Sequence, residues 1–381
     1  MRTPATDLLG IEFPLLAFSH CRDVVAAVTN AGGFGVFGAM RYDADELEVE
    51  LRWVDEQVRG RPYGVDVIVP RSFEGKGEQL DSAALAGRIS PEHWDFLELL
   101  LAEHGLAGIW DRETAIRESR AAGRFSDGAV DDLLDVAFSH PIRLIANALG
   151  PAPVGMIERA REHAVPCAGL VGAPEHAVRQ LEAGVDLVVA SGYEAGGHTG
   201  EVGTIVLVPE VIAAVEGRVP VLAAGGIVTG RQMAAAVALG AAGVWTGSVW
   251  LTTHEAETSR FIREKILRSS SRDTVRSRAR TGKPARQLRT AWHDAWDAPD
   301  SPGTLPLPLM TMLGGDALAR IEDAADAGHE GARELASYYA GQGVGLMTEA
   351  KSAAAVVQAF MEEFADAVEA LGRAVELDAA L

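Results

Sequence analysis

The sequence is poor in cysteine and has no long apolar run. Its 381 residues include only Cys21 and Cys167, which stand far apart and outside any C-x-x-C pair, so a disulfide framework is excluded and a reducing cytoplasm is the expected location. No apolar stretch reaches the roughly 18 residues that a transmembrane helix needs. The first ten residues, MRTPATDLLG, lack the apolar segment of a secretory signal. We therefore expect a cytoplasmic protein without a membrane partner.

Positive charge is also scarce. The chain has 34 Lys and Arg against 54 Asp and Glu, a formal net charge of −20, which argues against a nucleic-acid partner because such proteins neutralise phosphates with Lys and Arg. Residues 260–289 differ, with eleven Lys or Arg and only two acidic residues. This basic stretch is either a solvated face that balances the acidic remainder or a clamp for an anionic substrate or cofactor tail.

Short β-branched apolar runs alternate with amphipathic, alanine-rich segments. Continuous apolar strands separated by helices indicate a parallel sheet covered on its outer face, and eight such units favour an α/β (β/α)8 TIM barrel over an open sheet. The predicted strands are Phe13–Ala17, Gly35–Phe37, Tyr63–Val69, Ile142–Asn147, Pro166–Leu170, Leu187–Ala190, Val219–Ala223 and Gly243–Thr246. The predicted helices include Asp23–Ala31, Asp43–Val58, Val154–His163, Pro174–Ala183 and Thr229–Leu239, the last capped by Thr229 and ended by Gly240.

Two segments interrupt the repeat. Residues 71–140, after the third strand, are acidic and contain a predicted helix with Ser90 as its cap, and residues 252–345 follow the eighth strand. We expect residues 1–251 and 346–381 to form the barrel, with 71–140 as an insertion in it. The segment 252–345 is expected to add a lid or wall on the substrate side, because the site of such a barrel lies at the C-terminal ends of its strands.

Glycine-rich loops follow the last three strands: SGYEAGGHTG, AGGIVTG and TGSVW. In TIM barrels the loops after strands seven and eight often bind phosphate through backbone N–H groups and a helix N-terminus. Gly225, Gly226, Gly247 and Ser248 are the candidates for such a site. The alternative is ordinary turn chemistry, which also uses glycine.

His198 stands among four glycines in the loop after the sixth strand. A neutral imidazole that titrates near neutral pH suits proton abstraction at a barrel mouth; the alternative is a core histidine satisfied by the backbone. His20, which follows the first strand, lies at the same end and is a candidate for the substrate pocket. No second His or Cys stands at ligand spacing from His198, so no metal site is expected.

These segments resemble the nitronate monooxygenase (2-nitropropane dioxygenase-like) family of FMN-dependent TIM barrels. The matching stretches are AAVTNAGGFG, PYGVDVIVP, VVASGYEAGGHTG, VLAAGGIVTGRQMAAAVALGAAGVWTGS, RTGKPARQLR and AGQGVGL. The flavin-dependent enoyl-thioester reductases share this signature, and their version EAGGHxGE also matches Glu194–Glu201.

The resemblance implies FMN as cofactor, a nitronate or another carbon acid as small-molecule substrate, and O2 as oxidant. It makes His198 the catalytic base, which takes a proton from the carbon next to the nitro group. The cofactor-binding residues that it implies are Asp66, Ser191, Gly196, Gly197, Gly225, Gly226, Trp245, Thr246, Gly247 and Ser248.

Several positions depart from the family. Asp66 stands at a position where members of the family usually have an asparagine near the flavin. Ser191 replaces a glutamine that in the family contacts the flavin ring, and Trp245 replaces the glutamine that usually precedes the T-G-S stretch. The first-strand loop, PLLAFSHCRD, lacks the Pro-Met-Ala-Gly run that is usual in the family.

The sequence predicts an FMN oxidoreductase, specifically a nitronate monooxygenase. The alternatives are an NAD(P)H-dependent enoyl-thioester or quinone reductase and a catalytically silent flavin-binding protein, and the oligomeric state is open.

Overall fold

In the computed structural model, which describes residues 1–78, 80–121 and 125–374, eight parallel strands close into a barrel. The strands of the chain are β1 (Leu15–Ser19), β2 (Phe34–Gly38), β3 (Gly64–Asp66), β4 (Ile145–Asn147), β5 (Cys167–Val171), β6 (Leu187–Ser191), β7 (Gly197–His198), β8 (Val221–Ala224), β9 (Gly243–Thr246), β10 (Thr274–Ser277) and β11 (Ala285–Leu288). The barrel order is β1 to β6, β8 and β9, and β9 pairs back onto β1. The predicted fold is confirmed, and each predicted strand overlaps one barrel strand.

Helices cover the outside of the barrel and build the two added segments. They are α1 (Pro4–Leu9), α2 (Arg22–Asn30), α3 (Ala44–Val58), α4 (Ser82–Ala86), α5 (Pro91–Glu103), α6 (Arg112–Glu118), α7 (Asp127–Ser139), α8 (Val154–Glu162), α9 (Pro174–Ala183), α10 (Thr204–Val215), α11 (Gly230–Ala238), α12 (Arg260–Arg268), α13 (Ala291–Trp296), α14 (Leu309–Asp326), α15 (Glu330–Leu335) and α16 (Ala353–Ala374). Thr229 caps α11 as predicted, accepting the Gln232 N–H at 3.2 Å. Gly240 follows that helix with a φ of 99°, a conformation that favours glycine. Residues 375–381, predicted to belong with the barrel, lie outside the described residues.

The barrel strands are buried on both faces, which explains their continuous apolar character. All five residues of β2 are buried. Val36 belongs to the cluster that fills the barrel interior, whereas Phe37 packs in the layer between strands and helices. Gly35 lets α2 approach this strand closely, since a Cβ at that position would lie 2.5 Å from the Val25 carbonyl oxygen.

Two local predictions differ from the structure. The third strand is shorter than Tyr63–Val69 because the Val69 N–H donates to Asn147 Oδ1 at 2.7 Å, so a side chain replaces the backbone ladder there. Ser90 occupies the N-cap position of α5, but its hydroxyl lies 2.7 Å from His93 Nδ1 and makes no capping bond. The position of the predicted cap is therefore confirmed, but its side-chain hydrogen bond is absent.

The insertion after β3 and the segment after β9 pack against each other. Helices α4, α5 and α6 of the insertion contact α14 of the added segment, and the rings of Phe96 and Trp296 meet edge to face at 4.7 Å. The added segment also supplies β10 and β11, which form a small antiparallel sheet with β7. Among the described residues, no helix has the length and apolar character to cross a membrane.

Candidate functional site

The three glycine-rich loops meet at one edge of the barrel mouth, because β6, β8 and β9 are neighbours in the barrel. The Gly192 N–H donates to the Ala224 carbonyl at 3.0 Å, which joins the first two loops directly. Gly225 has a φ of 107°, and a Cβ there would lie 2.7 Å from Thr204 Oγ1. Close backbone packing at these loops therefore depends on glycine.

Glu194 fixes the loop that carries His198. Its Oε2 accepts hydrogen bonds from the Thr204 N–H and hydroxyl, both at 2.8 Å, and its carbonyl accepts the Gln342 N–H at 2.8 Å. One acidic side chain thus connects the β6 loop to the start of α10. The EAGGH signature has a structural reason at its first residue, because a carboxylate that accepts two donors orders the loop.

A backbone cradle forms where these loops meet residues 340–343. The Gly341 N–H donates to Ser248 Oγ at 2.8 Å, so the Ser248 hydroxyl hydrogen can point to a ligand. Gly226 has a φ of 72°. At Gly247 an added Cβ would meet no atom within 4 Å, which shows that this backbone borders open space.

Gly196 and Gly197 border this cradle differently. A Cβ on Gly196 would lie 2.8 Å from the Gly341 nitrogen, so this glycine allows two chain segments to touch. Gly197 has a φ of 79°, and a Cβ there would meet nothing within 4 Å. Of the two, Gly197 is the one that faces open space.

Aromatic side chains form the floor of the mouth. The rings of Phe18 and Trp245 stack at 6.2 Å, and both belong to the cluster inside the barrel. Thr246 is buried, with its hydroxyl donating to the Leu16 carbonyl and accepting the Trp250 indole N–H, each at 2.9 Å. Because its hydroxyl is occupied, Thr246 can contact a ligand only through its backbone. Ser191 ends β6 beside these residues and is half-buried.

His198 lies on β7, which the added segment holds in place. It pairs with Ala285 of β11, and its Nε2 lies 2.9 Å from Thr281 Oγ1. Burial, together with the charge of Lys283, lowers the pKa of His198 to about 4. The imidazole is thus neutral at neutral pH and has a ring nitrogen that can accept a proton.

Tyr339 and Lys283 lie near this imidazole, and two arginines contact the neighbouring tyrosines. The guanidinium of Arg280 lies 4.8 Å from the ring centre of Tyr339, whose ring lies 6.4 Å from that of His198. Arg41, on the loop after β2, donates to the Tyr338 hydroxyl. Within the described chain, neither arginine forms a salt bridge, and neither does Lys283. This area carries net positive charge in a strongly acidic protein.

Other members of the basic stretch are engaged elsewhere. Arg286 is buried, donates to the Tyr193 carbonyl at 3.0 Å and lies over the Tyr193 ring, so it fastens β11 to the His198 loop. Arg289 pairs with Asp294 at 2.8 Å on the surface. The first alternative therefore holds for Arg286 and Arg289, whereas a clamp for an anionic ligand stays a prediction for Arg280 and Lys283.

Asp66 and His20 lie on the other side of the mouth. Asp66 is 2% exposed, its Oδ1 has no hydrogen-bond partner in the described part of the chain, and burial raises its pKa to about 7. His20 Nδ1 lies 2.8 Å from the Gly38 carbonyl, so it donates there, and its ring meets Phe18 edge to face. His20 therefore lines the wall beside β2.

Several residues of this site are not apparent from the sequence. Thr281, Tyr339 and the 340–343 segment reach it only because β10 and β11 fold back onto β7. The fragments RTGKPARQLR and AGQGVGL were noted for their likeness to the family, but nothing in their spacing placed them beside His198. The sequence offers one local signal, the turn region RTGKP with its glycine and proline, which separates the two short stretches that pair as β10 and β11.

Comparison with known proteins assigns the family. The family model for nitronate monooxygenase matches residues 2–363. A Mycobacterium tuberculosis protein named as a candidate monooxygenase is 54% identical over 97% of this chain and 98% of its own length. A Staphylococcus saprophyticus protein named as a nitronate monooxygenase is 30% identical over 76% of this chain and 79% of its own.

Solved structures give the same architecture. A nitroalkane oxidase from Streptomyces ansochromogenes is 27% identical, with a TM-score of 0.79 over 97% of this chain and all of its own. FabK from Thermotoga maritima is 28% identical, with a TM-score of 0.70 over 98% of this chain and all of its own. FMN is the cofactor of this group of barrels. The chain belongs to the nitronate monooxygenase family and is an FMN-dependent oxidoreductase.

Proposed function

We propose that this protein oxidises alkyl nitronates with O2 and that His198 is the base that forms the nitronate when the substrate arrives as the neutral nitroalkane. The observation that carries the proposal is the neutral imidazole of His198, held at the barrel mouth by Thr281. A base must be unprotonated and fixed near the carbon from which it takes a proton. The contacts and burial of His198 meet both requirements.

The residues at the mouth fit FMN. Its phosphate needs backbone N–H groups, a hydroxyl donor and space, and these are offered by Gly226, Gly247 and Ser248 at the edge where α11 begins. The glycine surface at Gly197 and the aromatic floor of Phe18 and Trp245 suit a flat ring. When bound, FMN supplies the electron acceptor that oxidises the substrate and the donor that reduces O2.

Thr281 fixes the direction in which His198 acts. The Thr281 hydroxyl can donate to the Lys283 carbonyl at 3.3 Å, and it then accepts a hydrogen bond from His198 Nε2. In that arrangement Nε2 carries the hydrogen, and Nδ1 accepts the proton from the carbon next to the nitro group. Thr281 is a positioning residue, and the hydrogen bond to it stabilises the imidazolium that forms.

The cations near His198 serve an anionic substrate. A nitronate is negatively charged, and Lys283 and Arg280 supply positive charge without salt-bridge partners among the described residues. Burial, together with the charge of Lys283, lowers the pKa of His198, which keeps the base neutral before the substrate arrives. The added segment 252–345 thus acts as the substrate wall, since it contributes both cations.

A second candidate is an NAD(P)H-dependent reductase. The observation that favours it is the similarity to FabK over nearly the whole chain, together with the cationic surface at the mouth, which also suits a phosphorylated donor. On this alternative the same barrel binds FMN, but the electrons come from a nicotinamide rather than from a carbon acid.

Anaerobic mixing separates these functions. The purified FMN-loaded protein is mixed separately with an alkyl nitronate, with NADH and with NADPH, and the flavin absorbance is followed. Rapid bleaching by the nitronate alone is the expected result. Bleaching by a nicotinamide and not by the nitronate would overturn the proposal in favour of the reductase.

A further inference from the structure

Asp66 is a buried carboxyl group at the mouth of the barrel, and its Oδ1 has no hydrogen-bond partner in the part of the chain that the structure describes. It ends β3 and pairs in register with Gly38 of β2 and Ala146 of β4. Ala146 belongs to the cluster inside the barrel, and residues in register point to the same face of a sheet. The carboxyl group of Asp66 therefore faces the barrel interior at the C-terminal end, where ligands of this fold bind.

The surroundings of Asp66 contain nothing that explains a charge there. The interior side chains nearest the mouth on the other strands are Phe18, Leu170, Ser191 and Trp245, none of them charged. The charged or titratable residues that follow the strands flanking Asp66 include His20 and Cys21 after β1, Arg41 and Tyr42 after β2, and Arg71, Glu74 and Lys76 after β3. Burial is the only cause of the raised pKa of Asp66, so none of these groups compensates a negative charge.

A buried carboxylate without a partner is costly, and a buried carboxylic acid is much less so. The acid form has an O–H that can donate a hydrogen bond, which the ionised form cannot do. The isoalloxazine ring has carbonyl oxygens and ring nitrogens that accept such bonds. Asp66 Oδ1 has no hydrogen-bond partner among the described residues, so a ligand in the mouth can supply one.

We propose that Asp66 holds a proton when FMN is bound and donates it in a hydrogen bond to the flavin ring. FMN binding and protonation of Asp66 are then linked: each favours the other. A neutral Asp66 also keeps negative charge away from an anionic substrate. The inference rests on FMN occupying the barrel mouth and is independent of which reaction follows.

The test measures binding of FMN to the apoprotein, with no substrate present. Titration calorimetry of wild type at pH 8, in buffers of different ionisation enthalpy, counts the protons taken up. Because the pKa of Asp66 without ligand is about 7, we expect uptake approaching one proton for each FMN bound. FMN binding without proton uptake would overturn the proposal.

Asp66→Asn is the matched variant, since an amide keeps a donor but does not titrate. Above pH 7 the ratio of the wild-type to the Asp66→Asn dissociation constant should rise about tenfold per pH unit. The phosphate of FMN titrates equally in both proteins, so it cancels in this ratio. A ratio that stays constant between pH 6 and pH 9 would refute the linkage.

Asp95→Asn, at an exposed position of α5, controls for the charge change and should behave as wild type. If Asp66→Asn does not fold, as judged by circular dichroism, the proton uptake of the wild-type protein still decides the question. Neither measurement depends on turnover, so a failure here is distinguishable from a failure of the proposed reaction.

Discussion

His198 Nε2 lies 2.9 Å from Thr281 Oγ1 although 83 residues separate the two in sequence. The contact exists because β11 pairs with β7, which brings the added segment against the loop after β6. Thr281 is itself fixed by Lys283, whose N–H donates to its hydroxyl oxygen at 3.3 Å. His198, the proposed base, is therefore oriented by a segment outside the barrel repeat.

Removing the Thr281 hydroxyl should slow proton abstraction. In Thr281→Val the imidazolium loses a hydrogen bond to a charged group, worth about 1.5–3 kcal/mol, so kcat on a neutral nitroalkane should fall roughly 10- to 100-fold. Thr281→Ser keeps the hydroxyl and should stay near wild type. Equal losses in both variants would show that the methyl group matters and not the hydrogen bond.

His198→Asn should separate a base from an orienting residue. The amide keeps some hydrogen bonding but cannot take a proton, so the rate on a neutral nitroalkane should fall roughly 10²- to 10⁴-fold. The loss should be smaller on the same compound supplied as its nitronate, because that proton has already gone. Steady-state rates on both forms, at equal FMN content, provide the comparison. Equal losses on the two forms would indicate orientation, and no loss would make His198 structural.

Sequence patterns predicted the barrel because its strands are apolar on both faces and its helices are amphipathic. The same patterns predicted that the glycine loops after β6, β8 and β9 are neighbours, since consecutive βα units are adjacent in this fold. These are properties of local repeats. Ser90 takes the predicted N-cap position of α5, but its hydroxyl bonds the His93 side chain, one turn later, and makes no capping bond.

The contacts made by the added segment could not be predicted. Thr281 and Lys283 reach His198 through a two-residue strand, β7, which is too short to leave a pattern. Asp66 could be placed at the end of a strand, but its lack of a partner is visible only when every neighbouring side chain is known. Those features depend on long-range packing and not on local sequence.

Lys283 should tune the pKa of His198. Its positive charge is one of the two causes that lower this pKa, so Lys283→Met should raise it and move the acid limb of the kcat/KM profile to higher pH. Arg289→Met is the control, because Arg289 is paired with Asp294 on the surface. Its profile should match wild type. An acid limb that does not move in Lys283→Met would show that Lys283 does not act on the base.

Gly247 should be required for the phosphate of FMN. Its Cβ position borders open space, so Gly247→Leu can fold while its side chain fills the volume that a phosphate needs. We expect loss of FMN at purification and a larger loss of affinity for FMN than for riboflavin, which has no phosphate. Gly372→Leu, on the exposed surface of α16, is the control. A Gly247→Leu protein that retains full FMN content would place the phosphate elsewhere.

Asp66 should make the apoprotein less stable as the pH rises. Its pKa is raised from 3.8 to about 7 in the folded protein, so between these values the folded state binds a proton that the unfolded state has released. The free energy of unfolding must then fall from pH 4 to pH 7, by up to about 4 kcal/mol from this group, and change no further above that range. Asp66→Asn removes this contribution while keeping the size of the side chain. Urea unfolding of both apoproteins across this range should therefore show that the free energy of unfolding of the variant exceeds that of wild type by an amount that grows with pH. Two curves that stay parallel from pH 4 to pH 7 would mean that Asp66 is as ionised in the folded protein as in the unfolded chain.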